Sequence, residues 1–359
     1  MHSSIRFLRT AAFVLVLAIL AIGFACGGGG GAGGGPVKLQ GAGATFPNPL
    51  YQKWLSEYGK VNPGIQIDYQ SIGSGGGIKQ LQAQTVDFGA SDAPMTEEEL
   101  KATVGTVLHI PTVLGAVVVT YNLPGISNPL RFSPDVIADI YLGKISKWND
   151  ARIKADNPEA NLPATDISSV HRSDGSGTSF VFTDYLSRVS AEWKEKVGAN
   201  KSPKWIGGIG GKGNEGVTGQ VKQTPNTIGY VELAYAVQNK LPVALIKNKA
   251  GNFIEPSIDA VTAAAAGTVA NTPDDLRVSI ANADGPASYP ISSYTYILVV
   301  QDQKDAGKGK ALVDFLWWGI HDGEKFAKEL QYAPLPDEII KRAEAKINSI
   351  TAGGKPLRS

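Results

Sequence analysis

Short strand-like and helix-like stretches alternate along most of this chain, and glycine and hydroxyl residues make the joints between them. Val37-Lys38-Leu39-Gln40 reads as a strand, Gly41 to Pro47 as a loop, and about Pro49 to Tyr58 as a helix with Tyr51, Trp54, Leu55 and Tyr58 on one face. Ile65 to Gln70 alternates as a strand, and Gly73-Ser74-Gly75-Gly76-Gly77 leads from it into a helix at Ile78–Ala83. Val86 to Ala90 is a third strand, running out into Ser91-Asp92-Ala93-Pro94. Asp166 to Val170 reads as the end of another, and the helix starting near Phe180 follows His171-Arg172-Ser173-Asp174-Gly175-Ser176-Gly177-Thr178-Ser179. Such alternation predicts an α/β protein on mixed or parallel sheets, in which ligands bind outside the carboxyl ends of the strands.

The remaining stretches fit the same class. Val107–Ile110 and the apolar run Gly115 to Tyr121 predict buried strand, as do Ile228 to Val231 and Tyr294 to Val300. Ser133-Pro134-Asp135 opens a helix, with serine as cap and proline at the first position. Further helical spacing covers the stretch up to Lys196 and segments near 231–239, 257–266, 308–318 and 337–349. Lys147 to Pro163 and the glycine-rich 207–216 read as loops, and no internal repeat has a fixed period.

The joint at 170–179 carries the clearest chemistry. Ser176 and Thr178 fall at a helix N-terminus, where unpaired N–H groups and the positive dipole end attract anions. Gly175 and Gly177 let backbone approach a ligand with no Cβ in the way. Arg172 offers a planar fork of donors suited to a tetrahedral oxyanion, and Asp174 is placed to hold that guanidinium. On its own, Asp-Gly-Ser-Gly-Thr is also a plain turn and helix cap. The similar joints at Thr45-Phe46, Gly73-Ser74 and Ser91-Asp92 argue for a shared site.

Asp92 is the odd member, since a carboxylate repels an anion. At an ordinary pKa of about 3.9 it is ionised and only accepts hydrogen bonds. It helps binding only if the anion brings a proton, as phosphate does near neutral pH and sulfate does not. A strand-end cap or surface acid fits its spacing equally well.

Other chemistry is weaker. Gly208-Ile209-Gly210-Gly211-Lys212-Gly213 matches a dinucleotide pattern, but Pro203 stands in the approach and no helix obviously starts at Gly213. Gly211-Lys212 lacks the following Ser/Thr of a phosphate-cradling loop. Ser176 as a nucleophile with His171 as base lacks the Gly-x-Ser-x-Gly flank. His109 and His321 read as packed or surface histidines. Four histidines and one cysteine leave little for a transition metal, and neither metal nor cofactor is expected.

The N-terminus reads as a targeting segment. Arg6 and Arg9 precede an uncharged apolar run, Ala11 to Ala25, that ends at Cys26. A cysteine there resembles a bacterial lipobox, although Gly23 stands where leucine is usual; an ordinary secreted protein with an incidental thiol is the alternative. Gly27 to Pro36 then reads as a flexible tether. Removing residues 1–25 takes formal net charge from +1 to −1, which argues against nucleic-acid binding.

Gly41-Ala42-Gly43-Ala44-Thr45-Phe46-Pro47, Val86 to Pro94, Asp139-Ile140-Tyr141-Leu142-Gly143-Lys144-Ile145, Arg172 to Phe180 and Ile228 to Glu232 together resemble the phosphate-specific solute-binding family of bacterial ABC transporters. The resemblance implies a two-lobed periplasmic binding protein (type II solute-binding fold) with its ligand cleft between lobes joined by two crossings. It implies phosphate binding by Thr45, Phe46, Ser74, Asp92, Arg172, Ser176, Gly177 and Thr178, with Asp174 orienting Arg172. The expected divisions are a signal peptide at 1–25, a lipidated Cys26 and tether at 26–36, lobe 1 at 37–113 plus 290–359, and lobe 2 at 114–289. The implied role is high-affinity phosphate binding without catalysis, outside the cytoplasm at a lipid anchor, and delivery to permease subunits driven by a separate ATPase. A receptor for another oxyanion and a secreted phosphatase using Ser176 are the alternatives.

Overall fold

The computed structural model describes residues 35–358, so the signal segment, Cys26 and most of the tether lie outside the described residues. Eight strands form one mixed sheet: β1 (Val37–Gly43), β2 (Ile65–Ser71), β3 (Phe88–Ser91), β4 (Val107–Asn122), β5 (Ser168–Arg172), β6 (Ile209–Gly211), β7 (Thr227–Glu232) and β8 (Ser292–Val300). Their spatial order is β2-β1-β3-β8-β4-β7-β5-β6.

That order contains the same wiring twice. In the first half, β1 lies between β2 and β3, all parallel; in the second, β5 lies between β6 and β7, again all parallel. Each half starts on its middle strand, goes out to its edge strand and returns to its inner one. Helices make the crossovers: α1 (Asn48–Val61) and α2 (Ser74–Gln82) in the first half, α3 (Gly177–Val189) and α4 (Gly213–Gln223) in the second. A further helix, Ala191–Lys196, and the loop after it lengthen the path between α3 and β6, which is why no fixed period marks the repeat in the sequence.

Between the halves run two long strands, β4 and β8, antiparallel to each other. β4 pairs with β8 through Ala116 and switches partner at Val117, pairing with β7 from there to Asn122. Leu108 to Tyr121 are all buried, so this strand is covered on both faces and reads as continuous apolar sequence. Together these features make the two-lobed α/β fold expected from the sequence, with two strands crossing between lobes.

Several expectations shift in detail. Val107–Ile110 and Gly115–Tyr121 belong to one strand of 16 residues, because Pro111 sits in it at an irregular step of the β4–β8 register. α2 starts at Ser74 and not near Ile78, since glycines at its first turn are tolerated where the backbone must pass close to its neighbours. Lys147 to Pro163 contains a short helix, Ala151–Asp156, capped by Asp150. The glycine-rich 207–216 is loop only at Gly207, Gly208 and Lys212; the rest is β6 and the start of α4.

The first half is closed from outside by α5 (Ala306–Ile320), whose Phe315 meets Trp54 and Tyr58 of α1 edge-on. Trp54 Nε1 also donates to Gly323 O at 2.8 Å, satisfying its one polar atom in the core.

Candidate anion-binding site

The carboxyl ends of the parallel strands in both halves face one another across the middle of the molecule, and the predicted residues meet there. Thr45, Phe46, Ser74, Asp92, Arg172, Ser176 and Thr178 are all buried, each no more than 3% exposed. From the first half come Thr45 and Phe46 after β1, Ser74 at the start of α2, and Asp92 after β3. From the second come Arg172 at the end of β5 and the first turn of α3.

The two sides touch. Gly177 N donates to Ser74 Oγ at 3.0 Å, and Gly75 N to Gly175 O at 2.9 Å. A Cβ on Gly177 would stand 2.5 Å from both Asp92 Oδ2 and Ser74 Oγ, so only glycine fits where α3 approaches that carboxylate. Ser176 caps α3 by accepting from Ser179 N at 3.0 Å.

Arg172 is held as Asp174 in its sequence position suggested. Its Nε and Nη2 donate to Asp174 Oδ1 and Oδ2 at 2.8 and 2.5 Å, a two-point pair, while Nη1 reaches Thr178 Oγ1 at 3.3 Å. Burial would raise the Asp174 pKa, but the bonds and charge of Arg172 and the Gly213 N–H outweigh it and hold it below its ordinary value. The two-point pair gives the buried guanidinium a fixed counter-charge.

Asp92 has the opposite environment. Thr295 Oγ1 donates to its Oδ1 at 2.7 Å, whereas Oδ2 is buried with no partner among the described residues. Burial pushes its pKa up to about 7, against the pull of Thr295 and the Arg172 charge. Burial therefore works against the ordinary, fully ionised carboxylate that the sequence suggested. A buried acceptor left open among donors carries a stabilising role only when something brings it a hydrogen.

Two residues of the site were not foreseen. Asn214, in the first turn of α4, is fully buried and donates from Nδ2 to Thr45 Oγ1 at 2.8 Å and to Thr178 Oγ1 at 3.1 Å. Glu232, the last residue of β7, accepts from Ala234 N through Oε2, and burial first of all raises its pKa well above the ordinary value. The signal for Asn214 was present, because Gly211-Lys212-Gly213-Asn214 is one more strand–glycine–helix joint. Glu232 stood at the end of the Ile228 to Glu232 motif, but nothing in that motif gave it a role in the site.

His171, considered as a base, and His109 and His321, expected to be packed or at the surface, each have local partners. His171 stacks on Trp205 with ring centres 4.9 Å apart, and its Nδ1 lies 3.0 Å from Arg172 O. His109 is buried, accepts from Met95 N at 3.0 Å, and burial drops its pKa to about 3. His321 bonds Glu344 Oε1 at 2.8 Å, far along the chain in the C-terminal helices.

Two parallel-stranded halves, joined by a pair of crossing strands and meeting over a buried polar seat, define a two-lobed solute-binding protein. Residues 30–317 match the model of the PBP superfamily domain. The chain is 49% identical over 310 residues to the phosphate-binding protein PstS of Xylella fastidiosa (strain 9a5c), covering 86% of this chain and 84% of that one. It is 48% identical over 322 residues to the PstS of Pasteurella multocida (strain Pm70), covering 89% and 93%. A solved high-affinity periplasmic phosphate-binding protein, PfluDING, bound with phosphate at pH 8.5, shares the fold with a TM-score of 0.69 at 20% identity over 89% of this chain and 97% of that one. The chain belongs to the family of the phosphate-binding protein PstS.

Proposed function

We propose that this protein binds inorganic phosphate between its lobes with high affinity, leaves it chemically unchanged, and delivers it to the permease of an ABC importer. The observation that carries the reading is Asp92 Oδ2, a buried acceptor without a partner among the described residues, facing a first turn of α3 that offers donors. A phosphate dianion retains one proton near neutral pH, and that proton fits this oxygen while Arg172 and the surrounding N–H and hydroxyl groups meet the other phosphate oxygens. In this reading the ligand takes over the Gly177 N–H that now reaches Ser74. Thr45, Phe46, Ser74, Asp92, Arg172, Ser176, Gly177 and Thr178 are the ligand residues, and Asp174 orients Arg172.

The lobes in this proposal are 37–113 plus 290–359 and 114–289. The partner switch of β4 at Val117 and the entry into β8 at Ser292 support boundaries close to these. The permease, its separate ATPase, and anchoring outside the cytoplasm through Cys26 rest on the family resemblance and on the N-terminal sequence.

Calorimetric titration at pH 8 of protein stripped of anion, first with phosphate and then with sulfate, tests the reading. Tight phosphate binding without sulfate heat is expected. Equal binding of both would leave a general oxyanion receptor, and no binding of either would remove the proposal. Steady hydrolysis of a chromogenic phosphate ester, lost in Ser176→Ala, would instead favour the phosphatase alternative.

A further inference from the structure

A hydroxyl group has one proton to give and two lone pairs to receive, so filling both lone pairs decides where the proton must go. Thr45 Oγ1 accepts twice from Asn214, from its backbone N at 3.1 Å and its Nδ2 at 2.8 Å. Thr178 Oγ1 also accepts twice, from Asn214 Nδ2 at 3.1 Å and Arg172 Nη1 at 3.3 Å. Both threonine hydroxyls are thereby left with only a proton to offer. The Asn214 amide is itself fixed in orientation: Glu232 N–H donates to it at 3.0 Å, so that atom must be Oδ1, and the NH2 group must face the threonines.

We infer that Asn214 is a positioning residue that sets the polarity of the site, making the hydroxyls of Thr45 and Thr178 obligate donors toward the ligand. The inference rests on the phosphate reading above. It assigns one acceptor, Asp92, and a field of enforced donors, so discrimination arises from both: Asp92 asks for a proton, and Asn214 prevents the hydroxyls from rotating to accept a second one. Asn214 touches no ligand oxygen in this scheme. It acts on two residues from opposite halves of the molecule.

The test is a double-mutant cycle read by phosphate titration at pH 8, with thermal melts confirming that each variant is folded. Asn214→Ala is expected to weaken binding roughly tenfold to a hundredfold, the range for losing hydrogen bonds to a charged ligand. In a Thr45→Val, Thr178→Val background, which keeps shape and removes both hydroxyls, the same change is expected to cost less than about threefold. Asn214→Asp provides a second arm. It is nearly isosteric and still accepts from Glu232 N–H, but its carboxylate turns both hydroxyls toward itself, and binding is expected to fall further than in Asn214→Ala.

An Asn214→Ala cost that is equal in both backgrounds, or an Asn214→Asp protein that binds better than Asn214→Ala, overturns the inference, because a space-filling role predicts both. Wild-type protein that gives no phosphate heat overturns the underlying reading and this inference with it. Additive costs in a protein that does bind phosphate overturn the inference alone.

Discussion

The two halves have the same wiring and opposite chemistry. In each, the chain leaves the middle strand, the edge strand and the inner strand at the same end, and each exit faces the cleft. The first half places Thr45, Ser74 and Asp92 at its three exits; the second places the Arg172–Thr178 turn, Asn214 and Glu232. One half thus supplies the open acceptor, and the other supplies the fixed positive charge and the group that orients the hydroxyls. A repeated scaffold explains how six strand ends come to one place, but not what they bind. Binding is decided by the residues at the joints.

Removing the charge from the second half should have the largest effect. Arg172→Met takes away the guanidinium and leaves Asp174 half-buried beside the ligand with only the Gly213 N–H at 3.0 Å. Truncating one partner of a buried, hydrogen-bonded charged contact costs about 2–5 kcal/mol of binding, so phosphate affinity by calorimetry should fall by about thirtyfold or more. A loss below tenfold would mean that the two halves share the anion's charge more evenly than the geometry implies.

The first half is tested through Asp92→Asn. Phosphate binding should weaken by roughly tenfold to a hundredfold, while sulfate binding appears, because the repulsive acceptor is gone. Wild-type protein should show the same discrimination as a pH effect. With burial pushing the Asp92 pKa up to about 7, sulfate, negligible at pH 8, should bind progressively better below pH 7 as the acid becomes protonated and donates. Stability gives an independent reading. The folded-state pKa of Asp92 lies above its unfolded value of about 3.9, so the folded protein holds the extra proton between the two values, and stability is lost as pH rises through that window. Ligand-free Asp92→Asn should therefore be more stable than wild type at pH 8, by at most about 4 kcal/mol, and level with it at pH 4.

A smaller effect is expected where the halves meet at the rim. Lys201 Nζ lies 2.7 Å from Glu99 Oε2, with side chains 13% and 25% exposed, and Lys201 O also accepts from Ser176 N at 2.8 Å in the α3 turn. This pair ties the first half to the ligand turn of the second. Lys201→Met should weaken phosphate binding by about threefold to tenfold through faster release, and the difference from wild type should shrink in high salt. An unchanged release rate would place the closure energy in the buried contacts alone.

What could be read from the sequence follows the same division. Joints that mix glycine with hydroxyl or charged residues were legible, because few other local structures demand that mixture; Ser74, Asp92 and Arg172 to Thr178 all sit at such joints, although the helix after Gly73 begins at Ser74 and not near Ile78. Asn214 was missed because β6 is only three residues long and too short to show alternation, so the joint that it feeds looked like a loop. The repeat itself was hidden by the extra helix Ala191–Lys196. The raised pKa of Asp92 was out of reach, since burial depends on β8 arriving beside β3 from some 200 residues further along, bringing Thr295 with it.

The sharpest form of the comparison is the pair of inner-strand acids, because Asp92 and Glu232 occupy matching exits and each has one buried oxygen without a partner among the described residues. Their surroundings differ. The open oxygen of Asp92 faces Gly177 across the cleft, whereas Glu232 Oε1 lies beside Gly115 of β4, where an added Cβ would also meet the Phe46 ring. Its other oxygen accepts from Ala234 N at 2.8 Å and lies 3.2 Å from Tyr332 OH. Tyr332 has one proton and donates it to Phe46 O at 2.6 Å, so the contact between Tyr332 and Glu232 is satisfied when Glu232 carries a proton to donate in return. Burial favours the same neutral form. Glu232 is then a structural acid that steadies the Phe46 loop, and replacing it with neutral glutamine removes no charge. Glu232→Gln should change phosphate affinity by less than about threefold and leave sulfate unbound at pH 8, in contrast to Asp92→Asn. If Glu232→Gln admitted sulfate, the two acids would share one role, and the division of chemistry between the halves would be wrong.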